Sequence, residues 1–134
     1  MQNVECWVQS TESEDYVQMS SICAEKSFEF AVRIVNLYKY LTSKHRERIL
    51  SKQLLRCGTS IGANISEAQR GQSKADFASK MAIALKEANE TQYWLRLLYR
   101  TDYLSKVQFE SLDHDINELI SMLVSICKSS SPLK

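Results

Sequence analysis

The sequence predicts an all-α protein, an antiparallel up-down-up-down four-helix bundle. Three observations predict it. The only proline is Pro132, so no helix breaker interrupts the preceding residues. Apolar residues recur at alternating steps of three and four through four stretches, the period of a helix buried along one side. Short polar turns join those stretches, and short connections make sequential helices antiparallel neighbours. At 134 residues, 44% hydrophobic and 25% charged, the chain has a globular composition and can bury one core.

Residues 1–25 read as an acidic leader, loosely ordered. They carry Glu5, Glu12, Glu14, Asp15 and Glu25 and no Lys or Arg, a net −5. Two readings of this segment stay open: Trp7 docks on the body or on a neighbouring subunit, or the leader is disordered. The bundle is expected over 26–128, with 129–134 as a tail. Helix 1 is expected to start after Ser27 as N-cap and to run to about Leu41. Phe30, Ile34, Leu37, Tyr38 and Leu41 form its core stripe, thickened by Phe28, Val32 and Val35. Thr42 to His45 make the turn.

Helix 2 is expected from Arg46 to Arg70, with the stripe Leu50, Leu54, Cys57, Ile61, Ile65 and Ala68. Gly71 suits a left-handed residue just past its end. Ser73 caps helix 3, with Asp76 three residues on. Helix 3 runs to about Thr101 through Phe77, Met81, Ala84, Ala88, Thr91, Leu95 and Leu98. Helix 4 follows the Asp102–Ser105 turn and carries Phe109, Leu112, Ile116, Leu119, Leu123 and Ile126. Ser129-Ser130-Ser131-Pro132 ends it.

Helix 2 organises the rest because it holds a second stripe, Gln53, Arg56, Ser60, Asn64 and Glu67, at helical spacing. Gly58 and Gly62 share one face and each costs about 1 kcal/mol relative to alanine in a helix interior. A close approach by another helix explains that cost. The antiparallel arrangement sets Arg56 at the level of Glu87 and Gln53 at that of Glu90, give or take a turn. A cluster of Arg56, Ser60, Asn64 and Glu87 is therefore expected. It serves either as an internal network fixing register or as a ligand contact.

Outside the leader, 17 basic and 11 acidic residues give the body +6. The topology gathers Lys39, Lys44, Arg46, Arg48, Lys52, Arg96, Arg100 and Lys106 at the end holding the helix 1–2 and 3–4 turns, against Glu47 and Asp102. Cations suit helix C-termini, which accounts for Lys39, Arg96 and Arg100. It does not account for Lys44, Arg46, Arg48 and Lys52, which sit at the start of helix 2, where the dipole disfavours positive charge. Tyr38, Tyr40, Tyr93, Trp94, Tyr99 and Tyr103 lie near the same end. Basic groups among aromatics suit phosphate contact with base stacking. An acidic protein, or the chain's own acidic leader, suits them as well.

Gly58-Thr59-Ser60-Ile61-Gly62 matches a nucleophile elbow in letters only. That motif needs a strand before it and a downstream acid and histidine, whereas its flanks here are helical. His45 and His114 are isolated, so no metal site is expected, and no cofactor either. The four cysteines show no metal-ligand spacing and read as reduced cytoplasmic thiols. No apolar run is long enough for a membrane span, and no secretory signal is recognisable.

Laid out in this way, the chain resembles the family of 23S ribosomal RNA intervening-sequence proteins. The residues that carry the resemblance are Phe28 with the helix after it, Gln53-Leu54-x-Arg56, Ser60-Ile61-x-x-Asn64-Ile65-x-Glu67-Ala68, Ser73-x-x-Asp76-Phe77 and Ala84-x-x-Glu87-Ala88-x-Glu90-Thr91. It covers about residues 26–128. Ser66 and Ala68 depart from it mildly, where many members have Ala and Gly. The resemblance implies a small bundle assembled as a homopentameric ring. It also implies similarity to the accessory protein of diversity-generating retroelements, whose basic ring engages a reverse transcriptase and its RNA template. The implied function is a non-enzymatic accessory that binds RNA, DNA or a nucleoprotein, with a reverse transcriptase or another protein as partner. A protein-interaction scaffold without nucleic-acid contact is the alternative.

Overall fold

The computed structural model describes residues 11–130, with side chains from Val17 onward. Four helices make up the described residues, and no strand occurs among them: α1 (Thr11–Lys44), α2 (Leu50–Gln69), α3 (Lys74–Arg100) and α4 (Lys106–Ser130). Trp7, Cys6 and the proline near the C-terminus lie outside the described residues.

The core is built from the stripes the periodicity marks. Phe30, Ile34 and Leu41 of α1 meet Leu54, Ile61 and Ile65 of α2, and all are buried. All seven stripe residues of α3 are buried, as are Leu112, Ile116, Leu119, Leu123 and Ile126 of α4. Burial of a Leu, Ile or Phe side chain is worth about 1.5–3 kcal/mol relative to exposure, so these four stripes hold the helices together.

The helices pack in a cycle, α1 on α2, α2 on α3, α3 on α4 and α4 on α1. Gln69 donates to the Ser20 carbonyl at 3.5 Å, while Gly58, earlier on α2, abuts Ile34, later on α1. Between α2 and α3, Glu67 pairs with Lys80 at 3.0 Å and Arg56 with Glu90 at 3.3 Å. In both helix pairs the numbers rise on one helix as they fall on the other.

α1 departs from expectation at its start. It runs through Ser27, which is buried in mid-helix and donates its hydroxyl to the Ala24 carbonyl at 2.9 Å instead of capping. Helix geometry continues back to Thr11, so residues 11–25 belong to α1. Val17 and Met19 pack on the core, and Cys23 lies within it.

Phe28, Val32 and Val35 do not thicken the core stripe. They are 66%, 42% and 36% exposed, because at about 100° per residue they fall on the opposite side of α1 from Phe30, Ile34 and Leu37. Tyr38 is only partly buried.

α2 starts at Leu50, not at Arg46. Glu47 decides this by accepting backbone N–H bonds from Leu50 at 2.9 Å and Ser51 at 2.7 Å, so its carboxylate occupies the helix N-terminus from outside. Gly71 is not left-handed, and no glycine has a positive φ. Its lack of a side chain is used for space: a β-carbon there would lie 3.0 Å from the Ala68 carbonyl oxygen. Ser73 caps α3 as the sequence predicts, accepting from Asp76 N–H at 3.1 Å. A reciprocal box opens α4, with Gln108 N–H on Ser105 Oγ at 3.1 Å and Ser105 N–H on Gln108 Oε1 at 2.8 Å.

Candidate nucleic-acid interface

The basic end is made by two tight turns. In the α1–α2 turn the His45 and Glu47 N–H groups both reach the Leu41 carbonyl, at 3.2 and 3.0 Å. In the α3–α4 turn Tyr103 N–H reaches Leu98 at 2.9 Å. Each turn contains a non-glycine residue in the left-handed region, Arg46 at φ 54° and Asp102 at φ 70°. Such residues cost about 1 kcal/mol or more and persist where the surroundings hold them.

His45 ties the two turns together. Its ring packs edge-on against Tyr40 of α1 at 5.2 Å and against Tyr103 of the other turn at 5.7 Å, with His45 Nε2 3.2 Å from the Tyr40 hydroxyl. Tyr99 stacks on Phe109 at 4.5 Å behind them. Tyr40, Tyr99 and Tyr103 therefore brace this end.

Lys39, Lys44, Arg46, Arg48, Lys52, Arg96, Arg100 and Lys106 are all exposed. None of the eight forms an ion pair among the described residues. The ion pairs that do form use Lys26, Arg33, Arg56 and Lys80. Because α2 begins at Leu50, Lys44, Arg46 and Arg48 do not face its N-terminal dipole from within the helix. Lys44 is in the last turn of α1, where the dipole welcomes it, and Arg46 and Arg48 lie in the turn. Only Lys52 sits in the first turn of α2.

Glu47, the acid among them, is turned inward onto the α2 N-terminus. Burial pushes its carboxyl up, but the N–H groups of Leu50, Ser51 and Ile49 and the Ser51 hydroxyl outweigh that and hold it below the ordinary carboxylate range. It stays ionised, with its charge set against the N-terminus of α2.

The α2–α3 seam is arranged differently from the expected cluster. Arg56 pairs with Glu90, one helical turn beyond Glu87, and the same Glu90 oxygen accepts the Trp94 indole N–H at 3.1 Å. Ser60 donates to the Arg56 carbonyl at 2.7 Å and Asn64 to the Ser60 carbonyl at 2.8 Å, both along their own helix. Glu67 pairs with Lys80, and Gln53 is half-buried. Glu87 Oε1 is buried with no hydrogen-bond partner among the described residues. The seam is thus a row of local bonds with one cross-helix knot, Arg56–Glu90–Trp94. Ser60 lies in mid-helix with its hydroxyl engaged, so the Gly58–Gly62 letters form no nucleophile elbow.

The sequence reading missed one feature. Lys86, Asn89, Tyr93, Arg96 and Arg100 are all exposed and share the outer face of α3. Lys86, Tyr93 and Arg100 are seven apart, as are Asn89 and Arg96, a spacing that repeats on one helix face. Counting charges by bundle end hid this lengthwise stripe.

Burial raises the three described thiols: Cys23 to about 12, with the Cys127 charge adding to it, and Cys57 to about 11. Cys127 moves in the same direction. They pack as apolar side chains. Among the described residues no group of three His, Cys, Asp or Glu gathers as a metal site, and no helix is long and apolar enough to cross a membrane.

The model of the 23S rRNA-intervening sequence protein family matches residues 19–125. Among solved structures, the chain is similar to a protein of unknown function from the S23 ribosomal protein family of Bacteroides thetaiotaomicron. The two are 56% identical over 82% of this chain and 98% of that one, with a TM-score of 0.81. Comparison with curated proteins gives no match.

Proposed function

The chain belongs to the 23S rRNA-intervening sequence protein family, and from that premise we propose that it is a non-enzymatic accessory binding RNA, DNA or a nucleoprotein through its basic end. One observation carries the reading: eight cations at that end are exposed and without ion-pair partners among the described residues, against two acids, of which Glu47 caps α2 and Asp102 lies exposed in the other turn. Unpaired cations in one region attract phosphates, and each contact made releases counterions.

We read the assembly as an up-down-up-down bundle in a cytoplasmic homopentameric ring, as in the accessory protein of diversity-generating retroelements, with a reverse transcriptase or another protein as further partner. The reversed order of the cross-helix contacts supports the topology. Self-association is supported by the exposed Phe28, Val32 and Val35 beside a groove of about 390 Å³ lined by Ala31, Gly62, Ala63 and Ser66. A protruding apolar ridge next to a recess of small residues suits contact between copies. A ring would multiply weak phosphate contacts.

The second reading is a scaffold whose basic end docks an acidic protein.

Fluorescence anisotropy with short RNA and DNA across a salt series tests the reading. Saturable binding with log K falling linearly in log salt is expected, with loss of binding in the Lys44→Glu/Arg46→Glu/Arg48→Glu variant while its fold and mass are unchanged. Absence of binding at low salt overturns nucleic-acid contact and leaves the scaffold.

A further inference from the structure

The outer face of α3 combines two properties that the basic end alone does not. Lys86, Arg96 and Arg100 stand exposed along it with no ion pair among the described residues, and Tyr93 is set between them, 58% exposed. From Lys86 to Arg100 the stripe runs about 21 Å along the helix. Its other exposed members include Ala82 and Asn89, and the acid bordering it, Glu90, is paired with Arg56.

The Tyr93 ring is also held. It packs edge-on against Trp94 with centroids 5.1 Å apart and planes at 78°. Trp94 is fixed by its indole N–H on Glu90 at 3.1 Å, and Glu90 is fixed by Arg56 of α2 at 3.3 Å. An exposed aromatic side chain normally samples several rotamers. This one is braced through three residues and two helices, so little conformational freedom is lost when a flat group settles on it.

We infer that this face is a track for single-stranded nucleic acid, in which an unpaired base stacks on Tyr93 while Lys86, Arg96 and Arg100 hold phosphates on either side. The inference rests on the nucleic-acid reading above and narrows its ligand. A duplex presents phosphates outward and keeps its base faces inside the stack, so a tyrosine amid cations on a convex helix has nothing to stack on. A single strand offers phosphates and base faces together.

The test uses the full chain with labelled single-stranded RNA and DNA oligonucleotides and with blunt duplexes of the same sequence. At one salt concentration the single strands are expected to bind more tightly than the duplexes. Tyr93→Ala is expected to weaken single-strand binding between about five- and 140-fold. It should leave the salt slope and the duplex affinity unchanged, and Tyr93→Phe should restore the wild-type value. Arg96→Gln/Arg100→Gln should flatten the single-strand slope of log K against log salt by about 1.4. Tyr93 is exposed, so the variants fold, and a thermal melt verifies it. Equal affinity for the two forms, or an unchanged single-strand affinity in Tyr93→Ala, overturns the track. The basic-end reading then still stands if the Lys44/Arg46/Arg48 reversal abolishes binding. No binding of either form by the wild type removes both.

Discussion

Gly58 and Ile34 stand so close that a β-carbon on the glycine would lie 2.9 Å from Ile34 Cγ2 and 3.0 Å from Cγ1. Ile34 is fully buried, and both atoms sit on its branched β-carbon, so neither can swing away. At Gly62 the same addition would meet Ser27 Oγ at 3.3 Å and the Ser27 carbonyl oxygen at 3.4 Å, which is tight but not overlapping. The two glycines let α1 and α2 approach, and Gly58 is the stricter of them.

Gly58→Ala is therefore expected to destabilise. Overpacking costs about 1–3 kcal/mol, against about 1 kcal/mol returned by helix propensity, leaving a net loss of up to about 2 kcal/mol. Gly62→Ala should fall within about 0.5 kcal/mol of wild type for the same reason. Ile34→Leu, which removes the β-branch, should recover part of the Gly58→Ala loss in a double-mutant cycle by urea denaturation. Equal effects at the two glycines would contradict the close contact.

Glu47 gives a pH-dependent prediction. Its folded-state carboxyl lies below the ordinary value of 4.5, so its contribution is present above that pH and is lost as pH falls through the lower folded value. Glu47→Ala should cost about 1 kcal/mol at neutral pH, as for other lost N-terminal caps. The gap between wild type and variant should narrow as pH falls below 4.5 and through the folded value. Thermal melts at pH 7 and pH 3 check it.

Truncation tests the start of α1. Deleting residues 1–25 takes away Cys23 from the core and Val17 and Met19 packed on it. That should cost about 2–5 kcal/mol, the range of large-to-small core substitutions. The denaturant midpoint of the truncated chain decides it.

Thiol chemistry should follow burial. In a Cys6→Ser background at pH 8, Cys127, half-buried, should react with a thiol reagent first. Cys57 and Cys23, with values near 11 and 12 and no exposure, should react only as the fold opens. Rapid native-state labelling of Cys23 would show that α1 does not cover it as described.

By itself the sequence determined the helical class, the four apolar stripes and the Ser73 cap. Each depends on spacing within a few residues or on one side chain bonding its own backbone. It also placed the eight cations in one region, since chain order and short turns suffice for that. Only the tertiary structure decided where helices begin and which side of α1 is buried. Residues 11–27 look polar locally, yet α1 continues through them because Ser20, Cys23 and Ser27 lie against the packed interior. Phe28, Val32 and Val35 look like core, yet α2 and α4 cover the other side of the helix. The partner of Arg56 was likewise set by packing, since Glu87 and Glu90 lie within one turn of each other and sequence spacing cannot choose between them. The exposed α3 stripe around Tyr93 emerged only once the covered side of that helix was known, because a surface is what packing leaves uncovered.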